Sequence, residues 1–267
     1  MSQFGKTRLY RPDVSWLERM YFRLFGLADP SHFIRSQYFM RHIEGMKPRR
    51  VLDAGCGRGD YSFYMAERWP QAQITAVDVD APLIARNIDV QQTMGLGNLY
   101  FSVQDLSAIA STGTFDLIVC VDALEHVEDQ ELVLKNFFRA LNPGGAVFIH
   151  MPLVRPRPVP FDKFIHDFHE WSDHEHIAPM RTMEEFLGMM KSANFEVSQW
   201  QHTFYFYTGE LACSLFAVFH EDTKINRFAQ GVLSPITRLL AYAELKQVRN
   251  DGFAVAVLGS KGKGTDF

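Results

Sequence analysis

Cysteine is scarce in this sequence: Cys56, Cys120 and Cys213 stand far apart along the chain. So sparse a set cannot build a disulfide framework and fits a reducing compartment. No apolar run is long enough to span a bilayer, and Met1 to Lys6 lack the apolar core of a secretion signal. The expectation is a cytoplasmic protein. Positive charge is not in excess either, because 27 Lys and Arg meet 31 Asp and Glu for a net charge of -4 and a pI near 6.2. No broad nucleic-acid-binding surface, and so no nucleic-acid partner, is expected. The zincin pattern H-E-x-x-H does not occur and no cysteine joins the histidines, so no metal site is assigned. Internal repeats and low-complexity segments are missing as well.

What is present is an ordinary globular composition, 47% hydrophobic and 22% charged, over 267 residues. That length suits one α/β domain with an added cap. The organising stretch is Val51-Leu52-Asp53-Ala54-Gly55-Cys56-Gly57-Arg58-Gly59-Asp60, an apolar run meeting three alternating glycines before a helical pattern. Glycine lacks a Cβ, so such a loop can take positive φ and bring its main chain against a ligand. A dinucleotide fingerprint would require G-x-G-x-x-G and a pyrophosphate at the helix start. Here the sixth position is Asp60 and the first glycine follows Asp53 by two residues. Both carboxylates repel a diphosphate and suit a cationic or amino-bearing ligand, which disfavours an NAD-dependent oxidoreductase.

From 50 to 151 short β-rich runs alternate with amphipathic helical ones, the pattern of a parallel sheet with crossovers. Strands are expected near 50–54, 73–78, 98–103, 115–121 and 145–151, and helices near 60–69, 81–93 and 128–141. Ligands in such sheets bind beyond the carboxyl ends of the strands. Asp53 to Gly59, Asp78, Asp105 and Val121 to His126 all fall there.

These motifs together resemble the class I S-adenosylmethionine-dependent methyltransferases of the small-molecule type. Val51 to Gly59 is similar to their first motif and Ile74-Thr75-Ala76-Val77-Asp78 to the second strand with its ribose-binding acid. Val103-Gln104-Asp105-Leu106 resembles the adenine-binding segment, Phe115 to Val127 the fourth strand and its turn, and Leu141-Asn142-Pro143-Gly144-Gly145 the turn before the fifth strand. The resemblance implies a Rossmann-like seven-stranded mixed sheet, last strand antiparallel, with a helical cap. It implies S-adenosylmethionine as cofactor, S-adenosylhomocysteine as product, and cofactor contacts from Asp53, Gly55, Cys56, Gly57, Asp78, Val79, Asp105, Leu106 and Val121. Helix capping is the other reading of Asp78, but Asp80 before Ala81-Pro82 fits that duty better. Asp105 could equally be a solvated turn residue.

The expected activity is O-methylation of a hydrophobic or aromatic small molecule; the alternatives are the oxidoreductase and a silent interaction protein of the same fold. The Asn/Asp-Pro-Pro-aromatic motif of nucleic-acid amino-methyltransferases is missing. Glu125-His126 follows the fourth strand, where the methyl-bearing sulfonium should point, and histidine is well poised as a base near neutral pH. His126 could instead face the next helix as a satisfied polar residue. A segment rich in histidine, Phe161 to His176, is read as lining the acceptor pocket, with His176 and then His166 as further base candidates.

Residues 1–45 are expected to form an N-terminal helical lid, opening with a loose basic arm and a helix that carries Leu17, Met20, Tyr21 and Leu24 on one face. Its aromatic and arginine side chains admit weak peripheral membrane contact and a lipid-like acceptor. Residues 46–267 form the methyltransferase domain, with a cap insertion near 203–250. There a helix is expected to start at Ser234-Pro235 with Ile236, Leu239, Leu240 and Ala243 on one face. The oligomeric state is not readable.

Overall fold

The computed structural model describes residues 4, 6–11, 14–25, 29–154, 179–212, 224–247 and 249–263. Seven strands form one sheet: β1 (Arg50–Ala54), β2 (Gln73–Asp78), β3 (Leu99–Val103), β4 (Phe115–Val121), β5 (Leu141–Pro152), β6 (Glu196–Thr203) and β7 (Ala254–Ser260). Their order is β3-β2-β1-β4-β5-β7-β6. The first five pair in parallel, whereas β7 is antiparallel to both β5 and β6. The expected mixed Rossmann-like sheet is therefore present, with the last strand inserted between β5 and β6.

Interior strands read as near-continuous apolar runs because helices cover both faces. Helices α1 (Trp16–Phe25), α2 (Pro30–His42), α3 (Asp60–Arg68), α4 (Ala81–Met94), α5 (Gln130–Ala140), α6 (Met183–Ser192) and α7 (Lys224–Glu244) supply that cover, with a π-helical turn at Phe206–Ala212. One core joins α2 and α3 to the sheet through Ile34, Tyr38, Phe39, Met65, Ile74 and Phe148. The other joins α5 and α6 to it through Leu134, Phe137, Phe186, Met190, Ile118 and Val257. Local signals set the helix ends. Asp29 caps α2 by accepting the Ser31 N–H at 2.8 Å, with Pro30 at the first position. Thr182 and Glu185 close a capping box on α6, and Asn194 beyond it takes φ +67°.

Two expectations are corrected, and the apolar face of α1 is placed. The N-terminal arm is not loose: Phe4 is buried, stacked on Tyr64 at 4.5 Å and set edge-on to Phe39 and Tyr61. An aromatic side chain that fills a gap between helices holds an arm that composition alone reads as solvated. In α1, Leu17, Met20 and Leu24 face outward instead of toward the core. Finally, α7 does not start at Ser234-Pro235 but runs through it, with Pro235 inside the helix and its ring exposed. Interior proline costs a helix about 3 kcal/mol, so a start was the cheaper reading. Among the described residues no helix is long and apolar enough to cross a membrane.

Candidate active site

The carboxyl end of β1 passes into the glycine loop, and β2 holds that loop down. The N–H groups of Gly55 and Cys56 both donate to the Val77 carbonyl at 2.9 Å. Gly55, Gly57 and Gly59 all have positive φ, from 49° to 77°. A Cβ on Gly55 would lie 2.3 Å from the Cβ of Ala123, so the turn after β4 packs directly on the loop and only glycine fits. At Gly57 the opposite holds: nothing lies within 4 Å of where a Cβ would be. The loop is thus closed beneath Gly55 and open above Gly57.

Asp78, at the end of β2, faces that opening. Its carboxylate accepts the Gly57 N–H at 2.7 Å and the Asp80 N–H at 3.0 Å, while Asp80 itself caps α4 by accepting the Leu83 N–H at 2.9 Å. Asp78 is therefore relieved of capping and keeps lone pairs for a ligand hydroxyl. Beside it, Val79 and Val103 are 66% and 55% exposed. A half-buried acid, an open glycine and two bare valines fit an adenosine group, its ribose on the acid and its base on the apolar surface. Asp105 is exposed and caps a short turn, accepting both the backbone N–H and the hydroxyl of Ser107 at 2.7 Å. Leu106 is buried beneath the loop and Val121 half-buried at the end of β4.

Asp53 lies beneath the loop, not on it. It is buried, accepts the Ser62 hydroxyl of α3, and is pushed up to about 7 by burial, despite that bond. Its immediate work is to tie the loop to α3. The Cys56 thiol is buried and pushed far up by the same desolvation.

After β4 the residues diverge. Glu125 turns inward, is buried with Oε2 lacking a hydrogen-bond partner, and is raised to about 7 by burial. His126 is exposed. The two differ in burial, yet the His126 charge still reaches the Glu125 carboxyl and lowers its pKa in part. His166 and His176 lie outside the described residues, as does the segment around them. Among the described residues no group of His, Cys, Asp and Glu could hold a metal ion.

One constellation was not foreseen. Asp122, just past β4, has φ +47°, a conformation uncommon for a residue with a side chain. Its carboxylate binds Arg35 of α2 on one side and His150 of β5, through Nδ1 at 2.6 Å, on the other. His150 Nε2 lies 3.0 Å from the Thr203 hydroxyl at the end of β6. His150 is fully buried, and desolvation followed by the Arg35 charge pushes its pKa well below the usual value. Neutral His150 therefore donates from Nδ1 to Asp122 and accepts from Thr203 at Nε2. Four elements are thus linked in one chain of contacts, and Arg35 brings a guanidinium to the rim, able to meet a ligand carboxylate. A histidine inside the apolar run Ala146 to Met151 was the available signal.

A family profile described as a methyltransferase domain matches residues 26–199. A ubiquinone biosynthesis O-methyltransferase of Xanthomonas oryzae pv. oryzae is 39% identical over 118 residues, 43% of this chain and 48% of that relative. The chain thus spans about half the length of the relative it matches. Phosphoethanolamine N-methyltransferase 2 of Haemonchus contortus, solved with S-adenosyl-L-methionine, aligns with TM-score 0.64 at 17% identity over 94% of this chain and 61% of that one. The [4+2]-cyclase SpnF aligns with TM-score 0.58 at 18% identity over 94% and 84%. At such identities the likeness is one of fold, and the cyclase is a reminder that a fold does not name a reaction.

Proposed function

The chain belongs to the methyltransferase-domain family, and from that premise we propose that it methylates an oxygen of a hydrophobic small molecule using S-adenosylmethionine. The observation that carries this is the Asp78 carboxylate, freed from capping by Asp80 and bonded to the open glycine of the loop. Asp78 takes the ribose hydroxyls; Gly55, Cys56 and Gly57 line the loop; Val79, Asp105 and Leu106 flank the base; Asp53 and Val121 support the methionine end. When bound, the cofactor supplies a methyl group already activated on a sulfonium. The protein then has to align the acceptor oxygen and exclude water.

On the acceptor side, Asp122 presents a carboxylate whose plane His150 and Arg35 set, suited to accept a hydrogen bond from the acceptor hydroxyl. With the donor bound, that hydroxyl would form its bond to the methyl carbon as the carbon–sulfur bond breaks and its electron pair passes to sulfur, giving S-adenosylhomocysteine, while the hydroxyl proton passes to a base. His126 beside Glu125, and His176 or His166 outside the described residues, are proposed for that role, worth roughly 10²–10⁴ in rate. The helical lid of residues 1–45 and the cap near 203–250 would enclose the acceptor, and the outward apolar side chains of α1 suit a lipid-like acceptor met at a membrane. Buried free thiols at Cys56 and Cys120 fit a cytoplasmic setting.

Calorimetry with S-adenosylmethionine tests the reading. The protein should bind it and not NAD, and Asp78→Ala should weaken binding about a hundredfold through loss of charge-assisted hydrogen bonds. Equal affinity in that variant removes the ribose assignment; uptake of NAD alone removes the whole reading.

A further inference from the structure

In a surface helix, the apolar stripe ordinarily faces the core. In α7 it does not. Ser234, Thr237, Ala241 and Glu244 are buried, while Ile236, Leu239 and Tyr242 are 52% to 70% exposed. α1 repeats the inversion, with Trp16, Leu17 and Leu24 55% to 71% exposed. The two helices come from opposite ends of the chain and touch each other. Arg238 of α7 sits 5.6 Å over the Phe33 ring of α2 and within electrostatic reach of Tyr21 of α1, which joins them. Single exposed apolar residues are normal on a protein surface. Six large ones on adjoining helices, each turned away from the core, mark a contact surface.

Charge indicates what covers it. Across 14–25 and 229–243 the sequence carries Arg19, Arg23 and Arg238 against a single acid, Glu18. Residues 1–50 hold ten Lys and Arg against four Asp and Glu, in a chain whose net charge is -4. The apolar face is therefore set in the basic part of an acidic protein. A second copy across a two-fold axis would bring two such basic regions together, which like-charge repulsion opposes. An anionic lipid surface meets both features: apolar side chains enter the acyl boundary, the exposed Arg23 reaches the headgroups, and Trp16 and Tyr242 occupy the interface that such amphipathic rings favour.

We propose that α1 and α7 together form a docking face for an anionic bilayer, lying in the plane of the headgroups. This deepens the membrane contact suggested above, and its test reads binding alone, so it can fail without the methyl-transfer reading failing. The intact chain is sedimented with phosphatidylcholine vesicles, with and without about a quarter phosphatidylglycerol. Binding should be at least ~10-fold tighter to the anionic vesicles and should weaken with salt. Leu24→Asp with Leu239→Asp should abolish it, and Arg23→Glu should weaken it, with melting curves unchanged because all three side chains are exposed. Equal partition between the two vesicles, or unaltered binding by the aspartate variant, overturns the proposal. So does light scattering that shows a dimer which the aspartate variant converts to monomer, since a second copy then covers the face.

Discussion

Glu125→Gln should make the protein's stability less dependent on pH, and the size of the change follows from the burial of Glu125. The carboxyl is 3% exposed, Oε2 has no hydrogen-bond partner, and burial, only partly offset by its own backbone N–H, His126 and Arg35, raises its pKa to about 7. Its ordinary value is 4.5. A group whose pKa rises on folding contributes fully below its unfolded pKa and loses that contribution as pH climbs through the folded one. The window here runs from about 4.5 to about 7. At roughly 1.4 kcal/mol per unit, ionised Glu125 costs the fold about 3 kcal/mol at pH 8 and nothing near pH 4. Glutamine cannot ionise. Any cost of its unpaired amide is the same at every pH, so the informative quantity is the difference between the two proteins across the range. Urea unfolding from pH 4.5 to 8.5 should show the variant gaining about 3 kcal/mol on the wild type, which in thermal melts corresponds to roughly 6–12 °C in Tm for a chain of this size. A difference that stays flat with pH, or that moves against the variant as pH rises, refutes the assignment of a buried, proton-holding carboxyl.

His150→Phe should cost about 2–3 kcal/mol at pH 7, because Thr203 loses its acceptor and Asp122 a donor, and denaturant unfolding measures it. Since burial keeps His150 neutral, wild-type stability is complete above pH 6.5 and falls below it, so the gap to the variant should narrow by up to about 1.4 kcal/mol per pH unit; a constant gap contradicts a neutral His150. Burial raises the pKa of Asp53 and Glu125 to about 7, so arrival of a sulfonium should expel protons where neutral S-adenosylhomocysteine expels fewer. Calorimetry in two buffers of different ionisation enthalpy reads this, and equal release for the two ligands would place the cation away from these acids.

The strands and the cofactor rim were legible because their signals are local. Alternating apolar runs mark β1 to β5, and the glycines state where the backbone must take positive φ. Asp78 and Asp80 could be told apart because only one of them precedes the proline of a helix start. The Arg35–Asp122–His150–Thr203 chain was not legible in this way. Its members sit 28 to 87 positions from the next, on α2, β4, β5 and β6, and each alone looks like an ordinary polar residue; only closure of the sheet brings them into contact. The outward stripe on α7 was hidden for another reason. Periodicity identifies an apolar face but not what that face meets, and Ile236 and Leu239 satisfy the same pattern against a core or against lipid.

Several features that cost this fold stability gather at one edge. Asp122 and Gly55 take positive φ at the carboxyl ends of β4 and β1, Gly55 and Ala123 are in contact there, and the buried acids Asp53 and Glu125 flank the same two strands. Local preference and packing agree at the caps of α2, α4 and α6, which are satisfied, and in the two apolar cores. Nothing in packing demands acids that burial holds near pKa 7, since an apolar residue of similar size would be more stable in either place. Strain and uncompensated polarity that persist at one rim are what a site of function predicts.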